Sequence, residues 1–457
     1  MTLDPRTRMA HLLRRAGFGA SSGEIESRLE AGYETTVQQL VESGAVAEGL
    51  SDLDQQIGGI LDFGDIQDVR VWWAYRMIHS HRPLVEKMAF FWHGHFASAV
   101  NKVNSPWLMY LQNQLFRERG LGSFEELLLR VSRDPAMMIY LDGAQNRKAH
   151  PNENFAREVM ELFTFGSGHY TEEDVQEGAR CFTGWQLRDD AFFFNAQEHD
   201  DGTKRFLGVE GNLDGNDVIR SLARHPATAE RIVRKLFAFF AYEDPDKKTL
   251  APVLRVWLDT NGSIRDVLRT IFLSAAFSSE KAYRARIKSP AEFVIGAIRA
   301  VGGTIAPRAM VGLMARMGQD LFNPPSVKGW DGGPAWISTS TLFERFNFAA
   351  SMTTARGPEG TSHIDPQLIF GGIVPTSTSQ MVELAAKALL DGRLEPAAQA
   401  ALCNYLEQPD LQNPKGGKGA KGAKVNPSLL SADARALDEK TRGLLHLILS
   451  SPEYQLS

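Results

Sequence analysis

The stretch that decides the fold reads PNENFAREVMELFTFGSGHYTEEDVQEGARCFTGW and runs from Pro151 to Trp185. Placing residues 152–165 on a helix, at about 100° per residue, gathers the large apolar side chains on one stripe. The members of that stripe are Phe155, Val159, Leu162 and Phe163. A glycine-rich turn follows, and a second helical pattern fills residues 171–183. The stretch therefore predicts two amphipathic helices joined by a short turn.

The same helical period recurs on both sides of this stretch. Further helices are predicted at residues 6–15, 66–78, from 83 onward, 106–118, 123–132, 216–224, 227–240, 263–275, 290–301, 339–350, 380–391, 395–406 and 433–450. Strand signals are few, and residues 192–194 and 205–207 flank a turn-rich segment that could close one hairpin. We therefore predict an all-α fold, a large multi-helix globular array with one small β-hairpin excursion.

Three regions are predicted along the 457 residues. Residues 1–406 form the main helical domain, with a long loop or hairpin insertion at 190–217. Residues 407–428, rich in Lys and Gly, have the composition of a flexible linker. Residues 429–457 carry a C-terminal helix that we expect to dock on the main domain.

Composition excludes several classes of protein. The net charge of −5 gives no reason to expect nucleic acid as a partner. Two cysteines, Cys181 and Cys403, are too few for a disulfide framework or a Cys-rich metal site. No window of about 18 apolar residues predicts a membrane span. The N-terminus lacks a signal-peptide pattern, so we expect a cytoplasmic protein of bacterial type, with export alongside a signal-bearing partner as the alternative.

Carboxylates on the 152–165 helix are the first candidate site. Glu158 falls inside the apolar sector, and Glu161 lies at its edge beside Asn154. A carboxylate that faces a core is costly unless it is paired, protonated or bound to metal. These two could supply ligands or acid–base groups to an interior site. Alternatively, they pair with Arg157, Arg180 or another buried arginine and hold two helices together.

A His-x-His pair in the segment FWHGHF, residues 91–96, is the second candidate. On a helix the two rings diverge by about 160°, which turns His95 inward and His93 toward the polar edge. If Gly94 breaks the helix, both rings could converge on one metal ion. The structural alternative is a core histidine satisfied by a backbone carbonyl.

Two further groups of possible ligands lie in turns. His169 follows the glycine turn after Glu161, and His199 and Asp200 lie in the predicted long loop. Each could complete a metal site. The alternatives are a solvated turn histidine for the first and an Asx-rich turn for the second.

An aromatic loop is the last candidate. The segment FNPPSVKGWDGG, residues 322–333, displays Trp330 near polar groups, with Trp336 shortly after it. If these rings are exposed they could stack on a sugar or a peptide. Otherwise the loop packs one part of the protein against another, because large aromatic side chains favour burial.

Taken together, these motifs resemble the bacterial domain-of-unknown-function family numbered 1800. The resemblance rests on LRRAGFG at 13–19, FWHGHF at 91–96, NENFARE at 152–158 with the turn up to Gly168, TGW at 183–185, the His199–Asp200 loop and the 324–330 segment. It covers about residues 6–350, with the C-terminal helix also similar to the family, and implies a mostly helical fold without an established reaction. Relatives often occur beside a secreted, sulfatase-like protein, which implies a shared pathway or a complex. Many relatives carry His where this chain has Phe163.

From these residues we predict a metal-dependent enzyme, either a hydrolase or a non-haem oxidoreductase. The predicted ligands of a zinc, manganese or iron ion are His93, His95, Glu158, His169, His199 and Asp200. Glu158, Glu161 and Arg157 are the predicted catalytic residues, and Arg157 would orient an anionic group of a small-molecule or glycan substrate. The alternative is a noncatalytic scaffold or escort protein for a sulfatase-like partner, in which the same residues form a buried polar network.

Overall fold

The structure is a computed structural model that describes residues 3–43, 59–357, 362–408 and 434–457. Within these residues the chain forms 21 α-helices and two small two-stranded sheets. The predicted all-α fold with a small β excursion is therefore confirmed. From residue 409 onward, the predicted Lys/Gly linker lies outside the described residues.

The first part of the chain is entirely helical in the described residues. Its helices are α1 (Pro5–Arg15), α2 (Ser22–Ala31), α3 (Tyr33–Glu42), α4 (Ile66–His79), α5 (Pro83–His95), α6 (Val100–Val103), α7 (Pro106–Arg119), α8 (Phe124–Ser132) and α9 (Pro135–Tyr140). Several begin with proline at the first helical position, where the missing N–H has no helical partner to lose.

The middle part contains the two hairpins and one unusual helical turn. Its elements are α10 (Glu153–Glu158), a π-helical turn (Val159–Phe163), α11 (Glu172–Cys181), β1 (Trp185–Arg188), β2 (Ala191–Phe194), β3 (Lys204–Phe206), β4 (Val209–Gly211), α12 (Gly215–Arg224), α13 (Pro226–Phe240), α14 (Lys247–Asp259) and α15 (Ile264–Leu273).

The last part closes the helical array. Its helices are α16 (Pro290–Val301), α17 (Pro307–Arg316), α18 (Thr339–Thr354), α19 (Thr378–Leu389), α20 (Pro396–Glu407) and α21 (Ala434–Leu449). Helix α21 packs against α18 and α19. No helix in the described part of the chain is both long and apolar enough to cross a bilayer.

The strand pairing differs from the predicted single hairpin. Residues 192–194 pair with β1, and residues 204–206 pair with β4, so the two predicted strand segments belong to separate hairpins. Each hairpin closes through two residues with positive φ, Asp189 and Asp190 in the first. Such two-residue turns match the twist of antiparallel strands, so each strand pairs with its nearest neighbour in sequence.

Helix α5 runs through the core, and every residue in it except Pro83 and Gly94 is buried. Its two charged side chains in the first turns bind partners on other helices. Glu86 accepts hydrogen bonds from Arg76 on α4 at 2.8 Å and from both Nε and Nη2 of Arg117 on α7 at 2.8 Å. Lys87 pairs with Glu292 on α16. These pairs fix α5 relative to three other helices.

Replacing Glu86 by Gln is expected to lower the free energy of unfolding by about 3–5 kcal/mol, because it leaves two buried guanidinium groups without a counter-charge. Burial alone would raise the pKa of Glu86, but Arg117 and Arg76 outweigh it and hold the pKa at about 2. The carboxylate therefore stabilises the fold above its ordinary pKa, and this contribution is lost as the pH falls toward 2.

Urea denaturation of wild type and E86Q between pH 7 and pH 3 checks this expectation. Glu118→Gln is the matched control, because Glu118 lies exposed on α7, and its loss should stay within about 0.5 kcal/mol. An E86Q protein as stable as E118Q at neutral pH would show that the triad does not hold the three helices.

Candidate functional site

The last turn of α5 carries both histidines of the FWHGHF segment, and the helix continues through Gly94 to His95. The two rings therefore point to different neighbours, as expected for the helical case. The expected polar edge for His93 is wrong, because its side chain is buried and so is that of Glu86. The Nε2 atom of His93 accepts a hydrogen bond from the backbone N–H of Phe322 at 3.1 Å. Burial lowers the pKa of His93 to about 3, so the ring is neutral. His93 thus anchors the start of the 322–333 segment.

His95 connects a lysine to a backbone carbonyl. Its Nδ1 atom lies 3.0 Å from Nζ of Lys235 on α13, and its Nε2 atom lies 3.2 Å from the carbonyl oxygen of Phe163. Because a lysine ammonium has only donors, Nδ1 accepts, and the proton on Nε2 is donated to Phe163. Burial, followed by the charges of Lys235 and Arg231, lowers the pKa of His95 well below its ordinary value. Both ring nitrogens are therefore occupied by protein partners.

The carbonyl group of Phe163, which accepts the hydrogen bond from His95, belongs to the π-helical turn that follows α10. There the hydroxyl of Thr164 donates to the carbonyl oxygens of Val159 at 2.8 Å and Met160 at 3.0 Å. Arg231 on α13 donates to the carbonyl oxygen of Glu161 and, at 3.4 Å, to that of Thr164. The widened turn thus exposes carbonyl groups that side chains from α5 and α13 satisfy. Single π turns of this kind are frequent at functional sites.

A cavity of about 460 Å³ opens beside this turn, and we call it the cationic half of the cleft. Its lining includes three cations, Arg231, Lys235 and Lys328, together with His95 and Glu161. Among the described residues, no carboxylate lies within ion-pair distance of any of these three cations. Burial, followed by the charge of Arg231, lowers the pKa of Lys235 to about 8. Burial also lowers the pKa of Arg231. The cavity therefore holds three cations against one carboxylate, Glu161, whose charge also acts on Arg231, and its lining is positive overall.

The two predicted catalytic carboxylates lie close to this cavity rather than in the core. Glu158 is half-buried, and Glu161 lines the cavity, where its Oε2 atom accepts from the hydroxyl of Tyr170 at 2.7 Å. Burial and then the charge of Glu161 raise the pKa of Glu158. The wheel expectation that Glu158 faces the apolar interior is wrong, because the helix changes to π geometry immediately after it.

The arginines that might have neutralised these carboxylates bind other acids. Arg157 forms two hydrogen bonds with Glu172, at 2.8 and 2.7 Å. Arg180 binds Glu177 and, at 2.7 Å, Asp200. Arg157 is thus engaged on the surface between α10 and α11, and its predicted role in substrate binding stays a prediction.

The remaining predicted ligands have partners of their own. Nδ1 of His199 donates to the carbonyl oxygen of Thr183 at 2.8 Å. The pair between Asp200 and Arg180 lowers the pKa of that carboxyl. His169 is exposed, and its ring lies 6.0 Å from that of His225. The loop that contains His199 is therefore tied to the end of α11.

The six predicted metal ligands are not brought together. Within the described ranges, no group of three or more His, Cys, Asp or Glu side chains is arranged to hold one metal ion. The side chains that do share one cavity are those of His95 and Glu161, together with the three cations. The metal site consequently remains a prediction.

Sequence reasoning missed Arg231 and Lys235. The signal was available, since the two lie four residues apart on the predicted 227–240 helix and therefore share one face. They flank the buried stripe of α13, which includes Ile232 and Leu236. An ordinary amphipathic helix also carries cations at such positions, so the pattern alone does not indicate a site.

The Lys328 loop, residues 322–333, crosses the end of α5 through a contact between two glycines. Gly329 has a φ of +81°, and a Cβ atom there would collide with the carbonyl oxygen of Gly94. Lys328 and Trp330, which precede and follow Gly329 in the sequence, both line the cleft next to this close approach. The ring of Trp330 lies 5.5 Å from that of His93. The loop therefore forms one wall of the cleft.

The family model described as "Protein of unknown function (DUF1800)" matches residues 11–456, nearly the whole chain. The chain belongs to this family. No curated protein and no solved structure matches it. The family resemblance of the sequence motifs is thereby confirmed, and it extends beyond the 6–350 range on which those motifs lie.

Replacing Gly329 by Ala is expected to destabilise the protein and displace the Lys328 loop, because it adds both backbone strain and a collision with α5. Gly332→Ala is the matched control, since Gly332 also has a positive φ, +75°, but its nearest neighbour would lie 3.9 Å from the new Cβ. Urea denaturation should show that G329A loses about 1–3 kcal/mol more than G332A. Equal losses in the two variants would mean that the glycine contact does not position the loop.

Proposed function

We propose that this protein binds an anionic small molecule or glycan in the cleft between α13 and the Lys328 loop. The observation that carries the proposal is the set of three cations, Arg231, Lys235 and Lys328, which line one cavity without a carboxylate partner. Arg231 and Lys235 are partly buried whereas Lys328 is exposed, and partly buried cations without a paired carboxylate are costly, so a bound anion would relieve that cost.

The chemistry of the donors supports recognition of an oxyanion. Lys235 donates one N–H to His95 and keeps two for a ligand, and Lys328 adds an exposed ammonium group. Arg231 uses Nη1 on the π turn, which fixes the orientation of its guanidinium plane. Hydrogen bonds from charged donors to an oxyanion are among the stronger ones in proteins.

Carboxyl groups next to the cations extend the proposal from binding to chemistry. Glu161 lines the same cavity, and Glu158 has a raised pKa and lies within electrostatic reach of Lys328. A carboxyl group with a raised pKa beside a bound anion could donate or accept a proton. Glu158 and Glu161 are therefore the acid–base groups of the proposed enzyme.

Sulfate is the simplest probe of the anion site, because its charge is constant near neutral pH. Isothermal titration at pH 7 should give saturable binding to wild type, and Lys235→Met and Arg231→Met should each weaken it by about tenfold or more. Lys102→Met is the control, because Lys102 is an exposed residue that pairs with Asp142. Affinity for sulfate should fall as the pH rises past about 8 and Lys235 loses its proton.

Circular dichroism and thermal unfolding separate lost binding from lost folding. Lys235→Met removes a partly buried charge but also the donor to Nδ1 of His95, so thermal unfolding measures the net change in stability and circular dichroism checks that the variant is folded. Absence of saturable sulfate binding, or equal affinities in K235M and K102M, would contradict the proposal.

A metal-dependent reaction is the second candidate function, and one observation favours it. Glu158 and Glu161 lie close enough for the charge of Glu161 to raise the pKa of Glu158. A divalent ion between two neighbouring carboxylates would relieve this repulsion. Zinc, manganese and iron all remain proposals, and so do the hydrolase and oxidoreductase reactions.

Elemental analysis of protein purified without chelators or a His tag tests the metal candidate. A stoichiometric metal should disappear in Glu158→Gln and persist in Glu172→Gln, since Glu172 lies on the surface and pairs with Arg157. Wild-type protein free of metal would count against this candidate.

If the chain binds neither sulfate nor metal, a noncatalytic scaffold or escort role for a sulfatase-like partner becomes the better proposal.

A further inference from the structure

The cleft continues past His95 into a second cavity of about 270 Å³, which we call the aromatic half. Large rings line it, those of Phe91, Phe239, Trp330 and Trp336. His95, Lys235 and Lys328 line both cavities, so the two halves meet at these three residues. Joined, they fall within the size range of roughly 300–1,000 Å³ that is usual for small-molecule sites.

The rings form a continuous wall that leads toward the cations. The ring of Phe239 packs edge-on against that of Phe91 at 5.1 Å. The plane of Phe91 is within 7° of that of the His95 imidazole, with the ring centres 6.1 Å apart. Lys235 then donates to Nδ1, at the edge of that imidazole. A ligand that lies along this wall would reach the ammonium group of Lys235 with one end.

The rim of the aromatic half is polar. The exposed carboxylates of Glu243 and Asp331 line it, and so do the side chains of Arg286, Ser289 and Gln319. Among the described residues, neither Glu243 nor Asp331 has an ion-pair partner. Free carboxylates accept hydrogen bonds from hydroxyl groups but repel a ligand that is anionic along its whole length.

We infer that the ligand is an acidic sugar, a sugar ring that bears a carboxylate, phosphate or sulfate group. Its acid group would bind Arg231, Lys235 and Lys328, its apolar ring face would lie against Trp330, and its hydroxyls would donate to Glu243 and Asp331. This inference rests on the proposed anion site, and it adds the chemical class of the ligand.

The alternative of a planar aromatic acid satisfies the rings and the cations but leaves the rim unexplained. An unsubstituted aromatic ring, as in benzoate, has no hydroxyl groups to offer to Glu243 and Asp331, whose charges would then face only a π system. A sugar combines one apolar face with donors along its edge, which matches a ring beside carboxylates. The polar rim therefore decides between the two classes.

Four small probes separate the contributions of acid and ring. Methyl glucuronide carries both, methyl glucoside only the sugar ring, acetate only the acid, and benzoate a planar ring with an acid. Titration should give methyl glucuronide an affinity at least about tenfold above acetate and methyl glucoside, the gain expected from burying one apolar ring face. The sulfate ester of methyl glucoside, in the same titration, tells which acid group is preferred.

Variants show which residue is responsible for the higher affinity for methyl glucuronide. Trp330→Ala should lower the affinity for methyl glucuronide by about tenfold but that for acetate far less, because only the ring contact is removed. Trp330→Phe should restore part of the loss. Trp107→Ala is the control, since Trp107 is an exposed tryptophan on α7, outside both halves of the cleft, and it should leave both affinities unchanged. Circular dichroism shows whether W330A folds.

Each further outcome bears on one of the two claims. If sulfate binds but methyl glucuronide binds no more tightly than acetate, the sugar inference is wrong while the anion site stands. The sugar inference is also wrong if benzoate binds more tightly than methyl glucuronide, or if W330A affects both probes equally. If sulfate itself does not bind, the anion site fails, and the sugar inference fails with it.

Discussion

The end of α5 is the physical constraint on which the cleft depends. A buried imidazole is stable only when it is neutral and hydrogen-bonded, and the last turn of α5 contains two of them. His93 fixes the Lys328 loop through Phe322, and His95 links Lys235 to the π turn. Because Gly94 has no side chain, Gly329 can approach the helix between His93 and His95. One helical turn therefore positions three walls of the cleft.

The same turn explains why cations collect there. The imidazole of His95 donates to Phe163, so its other nitrogen can only accept, and Lys235 is the donor it meets. Arg231 lies one turn earlier on α13 and satisfies carbonyls that the π turn leaves open. Each cation thus has a structural partner that carries no full negative charge. The fold holds positive charge in place without neutralising it, which is the property expected of an anion site.

Prediction from sequence succeeded where the determining interactions are local. The helical period placed most helices, and Pro83 marked the start of α5. The argument that helical geometry separates His93 from His95 is confirmed for the same reason. The prediction for Glu158 failed because it assumed 3.6 residues per turn throughout, whereas the chain widens to a π turn at Val159. The pairing of residues 192–194 with 205–207 failed because each strand closes with its neighbour across a two-residue turn.

The sequence by itself determined the all-α class and the positions of most helices, because hydrophobic period and helix-start signals act within a few residues. Only the tertiary structure decided which polar side chains meet. Lys235 lies 140 residues from His95 along the chain, and Lys328 is farther still. No local pattern encodes such a meeting, since an exposed helix face carries lysine and arginine whether or not it borders a cleft. The cations became recognisable as a site once packing had brought them into one cavity without a carboxylate of the described residues in ion-pair contact.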